Sequence, residues 1–93
     1  MASYDLLIKA SAAKELEAVP KKDRKRIAAR IRELASAPRS HGAEKLSGEE
    51  KYRIRQGDYR ILYLIEGASY TVTIVRIGHR GGRLPELAEA LEP

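Results

Sequence analysis

The stretch Lys51-Tyr52-Arg53-Ile54-Arg55-Gln56-Gly57-Asp58-Tyr59-Arg60 sets the fold of this chain. Arg53 and Arg55 alternate with Tyr52 and Ile54, the period of a strand with two unlike faces. The alternation breaks at Gly57-Asp58, and a two-residue loop that begins with glycine predicts a type II′ hairpin turn. With that loop, Gln56 faces Tyr59, Arg55 faces Arg60, Ile54 faces Ile61, Arg53 faces Leu62 and Tyr52 faces Tyr63. Arg53, Arg55 and Arg60 then share one face of the sheet. Like charges directly opposite each other on a sheet are destabilising. Arg55 against Arg60 therefore predicts an anion, or a nearby carboxylate, at that point.

Around this hairpin the chain is short and basic. Its 93 residues predict a single domain, 1–93, with a thin core. Lys and Arg number 18 against 13 Asp and Glu, a net charge of +5. That balance favours an anionic partner such as nucleic acid, an acidic protein or a membrane surface. No apolar run approaches the length of a membrane span, and the N-terminus lacks a signal-peptide pattern. Cysteine is absent, which removes disulfides, thiol catalysis and cysteine-based zinc sites. The two histidines, His41 and His79, are far apart, so neither a metal nor a cofactor is expected. The chain reads as cytoplasmic.

Tyr4–Lys9 is short and apolar and predicts a first strand. Ser11 is placed to cap a helix over Ala12–Ala18, with Glu15 adding negative charge near its start. Val19-Pro20 breaks it. A second helix is predicted over Lys21–Ala37, where Ile27, Ile31, Leu34 and Ala35 form an apolar stripe. Its outer face is basic, with Lys22 and Arg26 among the cations. Pro38 stops it, and Arg39–Glu50 reads as a loop. Tyr52–Gln56, Tyr59–Glu66 and Tyr70–Ile77 then read as a three-stranded meander, and Pro85–Leu91 as a short acidic helix. The order is β-αα-βββ: an α+β domain with an N-terminal strand, a two-helix hairpin, an antiparallel meander and a short C-terminal helix.

The hairpin arginines suit phosphate, which guanidinium groups bind bidentately. They also stabilise charge that grows on a phosphoryl group during displacement. They cannot act as a base. Imidazole titrates near neutrality, so His79, after Gly78 at a strand end, is the natural proton-transfer candidate. Arg76 joins the arginine face only if the Gly67-Ala68-Ser69 loop sets that register, because a slip of one residue flips the face.

Lys45-Leu46-Ser47-Gly48, Tyr52-Arg53-Ile54-Arg55, Gly57-Asp58-Tyr59-Arg60-Ile61-Leu62-Tyr63 and Ile77-Gly78-His79-Arg80 together resemble the RelE/ParE superfamily of bacterial and archaeal toxins. The resemblance covers nearly the whole chain. Its RelE branch implies a ribosome-dependent mRNA endonuclease that cuts in the A site. There the 2′-OH of the RNA attacks the adjacent phosphate and the 5′-oxygen leaves. By position Arg53, Arg55, Arg60 and Arg80 match the cations that contact the scissile phosphate, and His79 completes the catalytic set. Lys22, Arg26, Lys45, Lys51, Arg76 and Arg83 are the remaining candidates for binding RNA.

Two departures bear on activity. The family often has lysine where this chain has Arg53 and Arg55, and often a tyrosine after the glycine-histidine-arginine turn. No tyrosine follows Tyr70 here. A gyrase poison of the ParE type, or a non-toxic module that binds an antitoxin, therefore stays open as an alternative. In each case the resemblance implies a cognate antitoxin that covers the toxin with an acidic or amphipathic segment. The further partners implied are the ribosome with its mRNA, operator DNA only through the antitoxin, and no membrane.

Overall fold

The computed structural model describes residues 3–39, 42–46 and 50–79. In chain order these form β1 (Asp5–Ile8), α1 (Ala10–Glu17), α2 (Lys21–Ser36), β2 (Glu44–Lys45), β3 (Lys51–Gln56), β4 (Tyr59–Glu66) and β5 (Thr71–His79). The predicted C-terminal helix Pro85–Leu91 lies outside the described residues. The class is α+β, as expected. Two features differ from the expected architecture. The sheet has five strands, ordered β1-β5-β4-β3-β2, because Glu44 and Lys45 pair antiparallel with Arg53 and Tyr52. It is also mixed, since β1 runs parallel to β5. A parallel pair needs a long connection between its strands, and here everything from α1 to β4 supplies it.

The apolar stripe of α2 packs where the periodicity puts it. Ile27, Ile31 and Leu34 are buried against Tyr52, Ile54, Ile61, Tyr63, Ile65, Val72, Ile74 and Ile77, one face of the sheet. Ala35 is only half-buried. Pro20 precedes α2 and Ala37 closes it, so proline restricts the chain at both ends. Ser11 does not cap α1. Lys9 occupies the N-cap position without a side-chain hydrogen bond, and Ser11 falls inside the first turn. Between the helices, the Arg24 guanidinium donates to Val19 O at 3.3 Å and ties the short break together.

The hairpin register matches the sequence reading pair for pair, from Gln56 opposite Tyr59 to Tyr52 opposite Tyr63. Gly57 has φ +61° and Asp58 is not in the positive-φ region, the pattern a type II′ turn requires. The second connection holds a 3₁₀ turn, Gly67–Ser69, followed by Tyr70 at φ 51°. It pairs Glu66 with Thr71. Continued without interruption, that register would put Arg76 opposite Ile61, on the core face. Instead the ladder shifts between Leu62 and Tyr63: Tyr63 pairs with Ile74, but Leu62 pairs with Arg76. The extra residue of this bulge returns Arg76 to the face that carries Arg53 and Arg60.

Candidate nucleic-acid interface

Helices cover one face of the sheet, and cations occupy the other. Lys51, Arg53 and Arg55 come from β3, Arg60 from β4 and Arg76 from β5. Leu62 lies in register between Arg53 and Arg76 and is buried, although it stands outside the main core cluster. Long cationic side chains commonly lie along apolar surface in this way.

The cations differ in how they are balanced. Arg53 is held by Glu44: its Nε donates to the carboxylate at 3.2 Å and Nη2 donates to the same oxygen. These hydrogen bonds, then the charges of Arg53 and Arg55, hold the Glu44 carboxyl below the usual carboxylate range. Arg76 is paired with Glu15 of α1, its Nε 3.3 Å from the carboxylate. Arg55 and Arg60 face each other directly, and among the described residues neither has an ion-pair partner. The Nε of Arg60 is buried with no hydrogen-bond partner among the described residues. Buried polar groups are nearly always satisfied, and cross-strand like charges are costly. Arg60 also faces Gly78 on β5. Glycine within a strand often marks close approach by another group.

A model of the ParE toxin of the type II toxin–antitoxin system parDE matches residues 6–84. The chain belongs to the RelE/ParE superfamily of type II toxins. No match was found among curated proteins. Solved structures with the same fold include a chain of the archaeal RelE–RelB complex from Pyrococcus horikoshii, at 26% identity over 87% of this chain and 99% of that one, TM-score 0.78. A chain of the RelBE2 toxin–antitoxin complex from Mycobacterium tuberculosis is also 26% identical, over 88% and 97%, with a TM-score of 0.77. The isolated Escherichia coli RelE toxin, at 24% identity over 96% of each chain and TM-score 0.75, shares the fold.

For this RelE/ParE chain, the residues singled out in the sequence fall into separate groups. Arg53, Arg55, Arg60, Arg76 and Lys51 share the open sheet face. His79 does not join them. It pairs in register with Tyr59, on the helix-side face, and their rings meet edge to face at 5.1 Å. Strand alternation explains this: Gly78 and His79 point to opposite sides. Lys22 and Arg26 are exposed on α2, across the sheet from the arginine face. Lys45 is engaged with Glu50 at 3.4 Å. Arg80, Arg83 and His41 lie outside the described residues.

Two carboxylates and one cation join this surface without a local sequence signal. Glu44 sits in a two-residue strand, too short to show a period, so its sequence predicts a loop. Glu15 shows in the sequence only as negative charge near a helix start. Its carboxylate accepts the Ile77 N–H at 2.8 Å, 62 positions along the chain, a distance no local pattern reports. Arg39 begins the loop after α2. It donates to Tyr52 Oη at 3.1 Å and to Glu50 at 2.8 Å, and its guanidinium lies 5.7 Å from the Tyr52 ring centre. The hydrogen bonds to Tyr52 and then Glu50 raise its pKa further. Arg39 and then Lys45 hold the Glu50 carboxyl below its usual range.

Proposed function

We propose that this toxin is a ribosome-dependent endonuclease that cuts mRNA in the A site and so stops translation. The observation that carries this assignment is the directly opposed Arg55–Arg60 pair, with the buried Arg60 Nε unsatisfied among the described residues. A phosphate between the two guanidiniums would neutralise the opposed charges. In the reaction the 2′-oxygen of the RNA forms a bond to phosphorus, the bond from phosphorus to the 5′-oxygen breaks, and the phosphorane carries added negative charge between. Arg55 and Arg60 stabilise that charge. Arg53, Arg76 and, by sequence, Arg80 add to the field. The 2′-OH proton must leave and the 5′-oxygen must gain one, and arginine does neither. Glu44, a carboxylate beside Arg53 on the arginine face, accepts the 2′-OH proton, and the departing 5′-oxygen takes its proton from solvent water. His79 serves from the strand end only if its ring leaves Tyr59. RNA beyond the scissile step would follow the cations Lys51, Lys45 and Arg83, with Lys22 and Arg26 meeting ribosomal RNA from the other side. A ribosomal target makes the toxin cytoplasmic.

The relatives from Pyrococcus horikoshii and Mycobacterium tuberculosis were solved as toxin–antitoxin complexes. By that analogy a cognate antitoxin holds this chain at rest, and operator DNA is reached through the antitoxin. A reconstituted translation system tests the enzymatic assignment. Wild-type toxin cuts ribosome-bound mRNA within the A-site codon, while Arg55→Ala and Arg60→Ala each lose roughly tenfold or more, the scale of losing an electrostatic stabiliser. Intact mRNA at high toxin concentration rules out the nuclease.

A second activity, poisoning of DNA gyrase, is favoured by the match to the ParE toxin itself. It needs no proton transfer from the chain. Trapped DNA–gyrase complexes alongside intact mRNA would select it.

A further inference from the structure

Arg76 reaches the arginine face because β5 carries one extra residue, Val75, between Ile74 and Arg76. β-Bulges re-aim side chains and recur beside functional sites. This one is fastened from outside the sheet. β1 ends at Ile8, opposite Ile74, and beyond that point Glu15 of α1 takes over. Its Oε1 accepts the Ile77 N–H at 2.8 Å, where a neighbouring strand would present a carbonyl. Its Oε2 stands 3.3 Å from Arg76 Nε. One carboxylate thus holds both the backbone after the bulge and the guanidinium that the bulge re-aims. The pair is also sheltered: Glu15 is 28% and Arg76 23% exposed, against 48% and 51% for Glu50 and Arg39. Partly buried charges are screened less than exposed ones. Arg76 shares a rank with Leu62 and Arg53. The next rank, two residues or ~7 Å along β5, holds Gly78, Arg60 and Arg55.

Resting on the nuclease reading above, we propose that Glu15 is a positioning residue for phosphoryl transfer. It fixes the bulge and orients Arg76 toward the RNA phosphate at Arg55 and Arg60. Glu15 itself touches neither the RNA nor the reacting atoms. Pairing through Nε, one of the five donors of a guanidinium, sets the plane of the fork. A fork held in advance loses less freedom when it meets a phosphate. In one respect the carboxylate works against RNA, because its negative charge repels the phosphate. Removing that charge alone therefore strengthens binding while it slows the chemical step.

The test uses the full chain and ribosome-bound mRNA in single-turnover cleavage. Varying the toxin separates the maximal rate from the half-saturating concentration. Glu15→Gln keeps an acceptor for the Ile77 N–H, and its melting temperature checks that it folds. Its maximal rate is expected to fall roughly tenfold, within the range for a small misplacement in a site. Half-saturation is expected at the wild-type toxin concentration or below it. Arg76→Ala, which leaves Glu15 on the Ile77 N–H, is expected to lose a similar factor. The double variant is expected to lose no more than Arg76→Ala alone, as residues acting through one contact do. Losses that multiply in the double variant overturn positioning through Arg76. A wild-type maximal rate in either single variant overturns it too, as does a Glu15→Gln loss that only tracks the folded fraction. Those results leave the nuclease reading intact. Intact mRNA with the wild-type toxin overturns that reading and the positioning role together.

Discussion

Arg55 and Arg60 set stability against function at the scale of single residues. Their opposition across β3 and β4 carries the cost of like charges paired directly across a sheet. Arg55→Gln is accordingly expected to raise stability by about 0.2–1 kcal/mol, the range for relieving a cross-strand pair. The same change weakens phosphate binding. Calorimetric melting with and without a short RNA reads both; a variant that melts earlier than wild type contradicts the account. His79 gives the opposite expectation. Its ring lies against Tyr59 on the helix side, so His79→Ala should lose less mRNA cleavage than Arg60→Ala. A larger loss would mean that the imidazole turns to the arginine face during catalysis. The hairpin register was legible residue by residue because alternation and the Gly57-Asp58 loop fix it together. Which arginines are neutralised was not legible, because Glu44 and Glu15 come from a two-residue strand and from a helix distant in sequence.

Three carboxylate or phenol contacts join elements that local sequence patterns do not connect. Glu15 links α1 to the β5 bulge by accepting the Ile77 N–H and facing Arg76. Glu15→Ala is expected to destabilise by about 1–3 kcal/mol through the unpaired N–H, whereas Glu15→Gln keeps an acceptor and retains most of the stability. Denaturant titration of both variants separates the hydrogen bond from the charge. Tyr63 joins β4 to the end of α2, donating to Pro38 O at 2.7 Å. Burial pushes the Tyr63 hydroxyl up to about 12 from 10.0. A raised folded pKa means that its contribution is complete below pH ~10. It is lost as the pH rises toward 12, and Tyr63→Phe should abolish this alkaline loss. Glu44 and Glu50 act in the other direction. Their lowered folded values mean stability that is present above the ordinary carboxylate value of 4.5 and lost as pH falls through the folded ones. Glu44→Gln together with Glu50→Gln should flatten the acid limb of a melting-temperature profile. The helices and long strands were readable because each carries several turns or alternations. The bulge after Ile74 was not, since one extra residue leaves no compositional mark, yet it decides which face receives Arg76.

At the scale of the whole molecule, the sheet divides the surface into working regions. One face holds the opposed arginines, and the other the helices with the exposed cations Lys22 and Arg26. The mixed pairing of β1 with β5 produces this division, and the sequence order β-αα-βββ left that pairing undetermined. RNA binding should weaken steeply with salt if several phosphates are contacted, and each removed contact should lower the slope by about 0.7 for a single strand. The most direct test of the central claim maps RNA 5′ ends in cells that express this chain without antitoxin. The account predicts new ends clustered within translated codons at the ribosomal A site, lost with Arg60→Ala, and no accumulation of gyrase-linked DNA breaks. An unchanged RNA-end map together with trapped gyrase complexes would contradict it.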